Sequence, residues 1–159
     1  IKSDFSGKDY NKSEFRLAPA GRNFHSAILK LRPDINCVFH IHPLSSVAVS
    51  ATRDGLLPLD QNSAMLHGRV SYHDFEGVVV DLDEQSRLVA NMGDAEVMIL
   101  RNHGLLTVGK SPADALKIAN LVETTAEIVW GARQLGTIVP LPDSTREKMA
   151  PIYPMLRGM

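Results

Sequence analysis

Six residues, Cys37-Val38-Phe39-His40-Ile41-His42, constrain this chain more than any others. The run is apolar and partly β-branched, with helix-like segments on both sides, which reads as a buried strand. Residues two apart on a strand share a face. His40 and His42 therefore project together at the strand's end, just before Pro43. Neutral imidazole is the commonest metal ligand, and two on one face supply half of a tetrahedral zinc site. Farther along, Glu96-Val97-Met98-Ile99-Leu100 reads as another core strand, running into Arg101-Asn102-His103-Gly104. If both strands share a sheet, His103 closes on the same point. Three protein ligands with one open position form the catalytic arrangement of zinc, not the structural one. The competing reading is a set of core histidines satisfied by hydrogen bonds. Their gathering where strands stop favours ligands.

The chain has 159 residues, enough for one domain with a real core. A hydrophobic content of 44% against 22% charged residues marks it as globular. Formal net charge is −1 and the charges are interspersed, so no basic stripe points to nucleic acid or to an anionic membrane surface. Apolar runs such as Val78-Val79-Val80 are far too short to span a bilayer. No signal peptide opens the chain, and the single Cys37 sits in an apolar strand as a small core residue. These absences lead us to expect a cytoplasmic protein. The start at Ile1 instead of Met points to a processed or cut chain.

In chain order, residues 1–20 are polar and turn-rich, with Ser6-Gly7-Lys8-Asp9 as a turn between short edge strands. Asn23 is placed to cap a helix to about Leu31 that buries Phe24, Ile28 and Leu31. After the His-x-His strand, Ser45 or Ser46 caps a short helix with Val47 and Ala51 inward, and a second helical segment runs from Gln61 to Leu66. Residues 69–81 alternate short strands and turns, with a β run at Val78-Val79-Val80. Asp83 to Asn91 is helical and closed by Gly93. Leu105 to Val108 is a further β stretch. Ser111 then caps the longest helix, with Pro112 in its first position. Its core face is Ala115, Ile118, Ala119, Val122, Ala126 and Val129, and Gly136 ends it. The Pro-rich remainder reads as a tail with a short helix near Thr145 to Met149; Ile152, Tyr153 and Leu156 suit either loose docking or packing on a neighbouring subunit.

Residues 104–111, Gly-Leu-Leu-Thr-Val-Gly-Lys-Ser, match the phosphate-loop pattern G-x-x-x-x-G-K-[ST]. Such a loop must curl so that successive N–H groups point at one phosphate. Leu105, Leu106, Thr107 and Val108 prefer extended structure instead, and no later strand carries an acidic magnesium partner. We read the match as coincidental.

Several stretches together resemble the class II aldolase/adducin family over nearly the whole chain. They are Phe24-His25-Ser26-Ala27-Ile28, Arg32-Pro33-Asp34, Cys37 to His42, Ala48-Val49-Ser50-Ala51, Gly55-Leu56-Leu57-Pro58, Tyr72-His73-Asp74-Phe75-Glu76-Gly77 and Leu100 to Leu105. The resemblance implies a single α/β domain over 1–159, three-layered α/β/α with a central, mostly antiparallel sheet, whose N-terminal portion is largely missing from the chain. It implies a divalent metal, usually zinc, on His40, His42 and His103. It implies a lyase acting on a small hydroxy-carbonyl or hydroxy-carboxylate substrate, with homo-oligomers that are often tetramers. In such chemistry the metal polarises a carbonyl and stabilises the enediolate left after carbon–carbon cleavage or loss of carbon dioxide.

Two departures temper this. The aldolases carry a catalytic Glu at the place that here falls at Gly21, and Glu14 lies seven residues too early. An aldolase Tyr after the His-x-His is also missing, with Gln61-Asn62 in that region. The pattern is thus closer to the adducin-like branch, and a non-catalytic binding or scaffold module is the alternative function. If a proton must move, His73 is the first candidate, with Tyr72 beside it; the competing reading is a polar strand end. His25 reads as a buried structural residue, His67 as a helix-end cation, and Asn102 as either a ligand-orienting group or a turn residue.

Overall fold

The computed structural model describes residues 1–6, 8–11, 13–77, 82–152 and 155. Among the described residues four strands form one sheet in the order β1-β4-β3-β2: β1 (Cys37–Ile41), β2 (Val70–His73), β3 (Val97–Leu100) and β4 (Gly104–Gly109). β4 pairs antiparallel with both β1 and β3, while β2 runs parallel to β3. The sheet is therefore mostly antiparallel, as the family resemblance implies. Helices cover both faces. α1 (Pro19–Leu31) and α4 (Leu82–Met92) lie on one side; α5 (Pro112–Leu135), α2 (Leu44–Ser50) and α3 (Gln61–Met65) lie on the other, and α6 (Asp143–Met149) packs on α3.

Alternation along the strands builds the two cores. Met98 and Leu100 of β3 point to α1 and α4, where Phe24, Ile28, Leu88 and Met92 meet Val38, Leu106 and Val108. Val97 and Ile99 point the other way, into Leu105, Ile118, Ala119 and Val122. Because both faces are covered, every residue of β3 and β4 is buried, which explains why these strands read as unbroken apolar runs. The α5 stripe is buried at every position expected from its helical spacing.

The phosphate-loop pattern is a strand here. Leu105 to Val108 pair with β1 on one side and β3 on the other, so their backbone groups are committed to the ladder. Ser111 caps α5, its Oγ accepting from Asp114 N at 3.2 Å.

Several local expectations change. α1 begins at Pro19, not beyond Asn23, because proline is pre-organised for the first helical turn. Leu31 is 60% exposed at the helix end instead of in the core. In α2 the inward residues are Ser45, Ser46, Val49 and Ser50, not Val47 and Ala51, and Pro43 stands at the cap position. α6 starts at Asp143. Among the described residues the N-terminal edge strands reduce to one bridge, Ser3 with Asp9. The expected β run Val78-Val79-Val80 and the tail residues Tyr153 and Leu156 lie outside the described residues. Among the described residues no helix is long and apolar enough to cross a membrane.

The turns below the sheet are tied by one arginine. Arg32 holds both carboxylate oxygens of Asp34 at 2.8 Å and donates to Gly93 O at 2.8 Å and Ala95 O at 3.1 Å. The α1–β1 and α4–β3 connections are thereby fixed to each other. Replacing the α5 cap, Ser111→Ala, is expected to cost about 1 kcal/mol in chemical denaturation.

Candidate metal centre

β1 ends at Ile41, paired with Leu105 at the start of β4. β3 ends at Leu100, paired with Gly104, so the Arg101-Asn102-His103 turn stands directly beside the end of β1. Asn102 takes φ 56°, a left-handed conformation that asparagine tolerates better than most residues. Asn102 is therefore a turn residue, and its conformation returns the chain so that His103 faces the other two histidines. Gly104 makes the approach possible. A Cβ there would lie 2.5 Å from His42 Cδ2 and 2.7 Å from Ile41 O.

The structure brings His40, His42 and His103 together, each offering one ring nitrogen, all within 4.8 Å of one another. Nε2 of His40 and Nε2 of His42 are 3.0 Å apart. Two ligands of a tetrahedral zinc at about 2.0–2.1 Å are themselves about 3.3 Å apart, so the spacing suits a shared ion. His40 Nδ1 donates to Leu105 O at 3.0 Å. That bond keeps the ring proton on Nδ1 and leaves Nε2 bare, as a metal ligand requires. The donor set fits a divalent cation.

Electrostatics prepare the same state. Burial, with the neighbouring His103 and His42 adding to it against the Leu105 bond, pushes His40 down to about 4. Burial and His42 also lower His103. Phe24 meets the His40 ring edge-on at 5.1 Å, and Phe75 stands 5.8 Å from the His103 ring. His42 is exposed, so the cluster is open on its side.

His73 ends β2 on the same face of the sheet as His40 and only 4% exposed. Its Nδ1 lies 2.9 Å from Asn91 Nδ2, and its Nε2 has no hydrogen-bond partner among the described residues. It lines a cavity of about 20 Å³ together with Phe24, Glu84, Arg101 and His103. Tyr72 is not its partner. It points to the opposite face, where its hydroxyl accepts from Leu56 N at 3.0 Å and Arg101 stacks on its ring. His25 is half-buried, not core, and lines a larger cavity of about 600 Å³ beside Gly21. His67 Nδ1 lies 3.4 Å from Arg146 Nη1, at the end of α3.

Two contributors escape a reading of the sequence. Asn91 is one, visible only as a polar residue near the end of α4. Glu123 is the other. It flanks the apolar stripe of α5 and accepts from Ser45 N at 3.0 Å, Ser46 N at 2.9 Å and Ser46 Oγ at 2.6 Å.

The chain is a mostly antiparallel α/β sandwich with three histidines converging at one sheet end. Residues 1–130 match the model of the Class II Aldolase and Adducin N-terminal domain, and the chain belongs to that family. A crystal structure of an aldolase II superfamily protein from Pseudomonas syringae aligns with TM-score 0.87 and 41% identity, covering 92% of this chain and 60% of that one. L-fuculose 1-phosphate aldolase from Glaciozyma antarctica PI12 aligns with TM-score 0.73 and 27% identity, covering 82% and 49%. Alpha-adducin of Rattus norvegicus is 43% identical over 116 residues, 72% of this chain and 16% of the adducin. The chain spans about half the length of the bacterial relatives it matches.

Two outcomes are expected. Between about pH 6.5 and 4 the unfolded chain takes up a proton that folded His40 refuses. The metal-free protein should thus lose stability as pH falls through that window, with no His40 contribution to the slope above it. Denaturation at stepped pH measures this, and His40→Gln should flatten the slope. Gly104→Ala should displace His42 and weaken zinc binding by about 10-fold or more, read by competition with a chelating dye.

Proposed function

We propose that this chain is a divalent-metal-dependent lyase of the class II aldolase type, with zinc as the ion on His40, His42 and His103. It would cleave or decarboxylate a small hydroxy-carbonyl or hydroxy-carboxylate substrate. The observation that carries the reading is the convergence of three histidines, two of them with Nε2 atoms 3.0 Å apart, on an open edge of the sheet. When bound, the ion supplies Lewis-acid polarisation of a carbonyl next to a hydroxyl. His40 and His103 hold their side of the centre in partly buried surroundings, and exposed His42 leaves room for substrate. Proton transfer falls to His73. The Asn91 amide at Nδ1 leaves the ring proton on Nε2, which makes no hydrogen bond among the described residues and has the Glu76 carboxylate 4.0 Å away. We further propose a cytoplasmic homo-oligomer; the exposed Trp130, Leu135 and Val139 offer apolar surface for a second copy.

The second reading is a non-catalytic, adducin-like binding or scaffold module. Gly21 favours it, because the aldolase carboxylate is missing from a place with room for one: a Cβ at Gly21 would meet nothing within 4 Å. Elemental analysis of wild type and His42→Ala separates the two. The lyase reading expects about one equivalent of zinc, lost in the variant, and retro-aldol or decarboxylase turnover in a substrate screen of the loaded protein. Wild type that takes up no divalent metal after reconstitution would leave the scaffold reading standing.

A further inference from the structure

α2 lies between the two segments that carry the histidines. Its first residue, Leu44, follows His42 by one proline. Just past its other end, Thr52 O accepts from Arg101 Nη1 at 2.9 Å, two residues before His103. α2 is therefore a strut: a shift along its axis moves His42 directly and pulls on the His103 turn through Arg101.

The strut has no anchor of its own at the start. Pro43 stands at the cap position and supplies no side-chain acceptor. The first N–H groups of a helix have no partner within it. Here Ser45 and Ser46 are almost fully buried, at 3% and 1% exposed, so water cannot serve their N–H groups. Glu123 fills the need from α5, 77 residues away from Ser46, with one carboxylate oxygen for each N–H and the Ser46 hydroxyl on the second. Burial raises the carboxyl, but these hydrogen bonds outweigh it and hold Glu123 below the ordinary glutamate value. The acceptor is thus a charged carboxylate at neutral pH, and charge-assisted bonds are the stronger kind. α5 is the longest helix of the fold and is packed along its whole stripe, so it is a rigid base for the clamp.

We propose that Glu123 is a positioning residue for the histidine centre: by clamping the start of α2 to α5 it fixes His42, and through Arg101 the His103 turn, in ligand geometry. The inference rests on the metal-centre reading above for its consequence, although the clamp also acts on the metal-free protein. Glutamine is the informative replacement. Its Nε2 donates and cannot accept, so Glu123→Gln leaves Ser45 N or Ser46 N without an acceptor while keeping size. Ser46→Ala removes only the hydroxyl bond and keeps both N–H bonds.

The test uses the full chain with two readouts. The first is the long-range 1H–15N imidazole spectrum of the metal-free protein; the second is zinc affinity by chelator competition. Glu123→Gln should shift or broaden the His42 ring signals and weaken zinc binding about 10-fold or more, the usual effect of losing an outer partner of a metal ligand. Ser46→Ala should stay close to wild type in both. A Glu123→Gln protein with wild-type His42 signals would overturn the clamp, even if its melting temperature fell. Wild type that binds no zinc would count against the lyase reading alone, since the His42 spectrum still judges the clamp.

Discussion

The pairing of β4 with both β1 and β3 is what everything else here depends on. Ile41 opposite Leu105 and Leu100 opposite Gly104 bring the end of one strand and the reversal of two others to one point. That ladder alone converts three histidines, separated by up to 63 positions in the chain, into a cluster within 4.8 Å. It also demands glycine at 104, since the pairing leaves no volume for a Cβ between Ile41 O and the His42 ring. The apolar cores on both faces fix the register. A one-residue slip would turn Met98 and Leu100 away from α1 and α4 and scatter the histidines.

Clustering imidazoles has a cost that the surroundings direct usefully. Burial and mutual repulsion disfavour protonation of His40 and His103, so both are held in the neutral state that binds metal. The Leu105 carbonyl then selects which nitrogen of His40 is free. Without a cation, a proton on His42 Nε2 joins the two rings, since His42 can donate to the bare Nε2 of His40 across 3.0 Å. A divalent cation would take the place of that one proton and be shared by all three rings. The fold thus gathers its histidines at strand ends, with helices on either side of the sheet.

Period and ligand type made much of this legible in the sequence. The alternation in Cys37 to His42 placed two imidazoles on one face, and the α5 spacing gave its buried stripe residue by residue. The strand residues within the phosphate-loop pattern revealed their extended preference through Leu105 to Val108. What stayed hidden depends on partners distant in the chain. The inward serines of α2 contradict hydrophobic patterning because their partner, Glu123, is supplied by another helix. Tyr72 and His73 look like neighbours in sequence, yet the pleat sends them to opposite faces. Arg32 likewise joins two turns that no local pattern connects.

The most direct test of the account is X-ray absorption at the zinc edge of the zinc-loaded protein. Three imidazole nitrogens and one light, exchangeable ligand at about 2.0–2.1 Å are predicted, with the fourth shell atom changing when a small hydroxy-acid is added. A fourth protein ligand closing the sphere, such as a sulfur shell at about 2.3 Å or a fourth imidazole, would contradict it and make the centre structural.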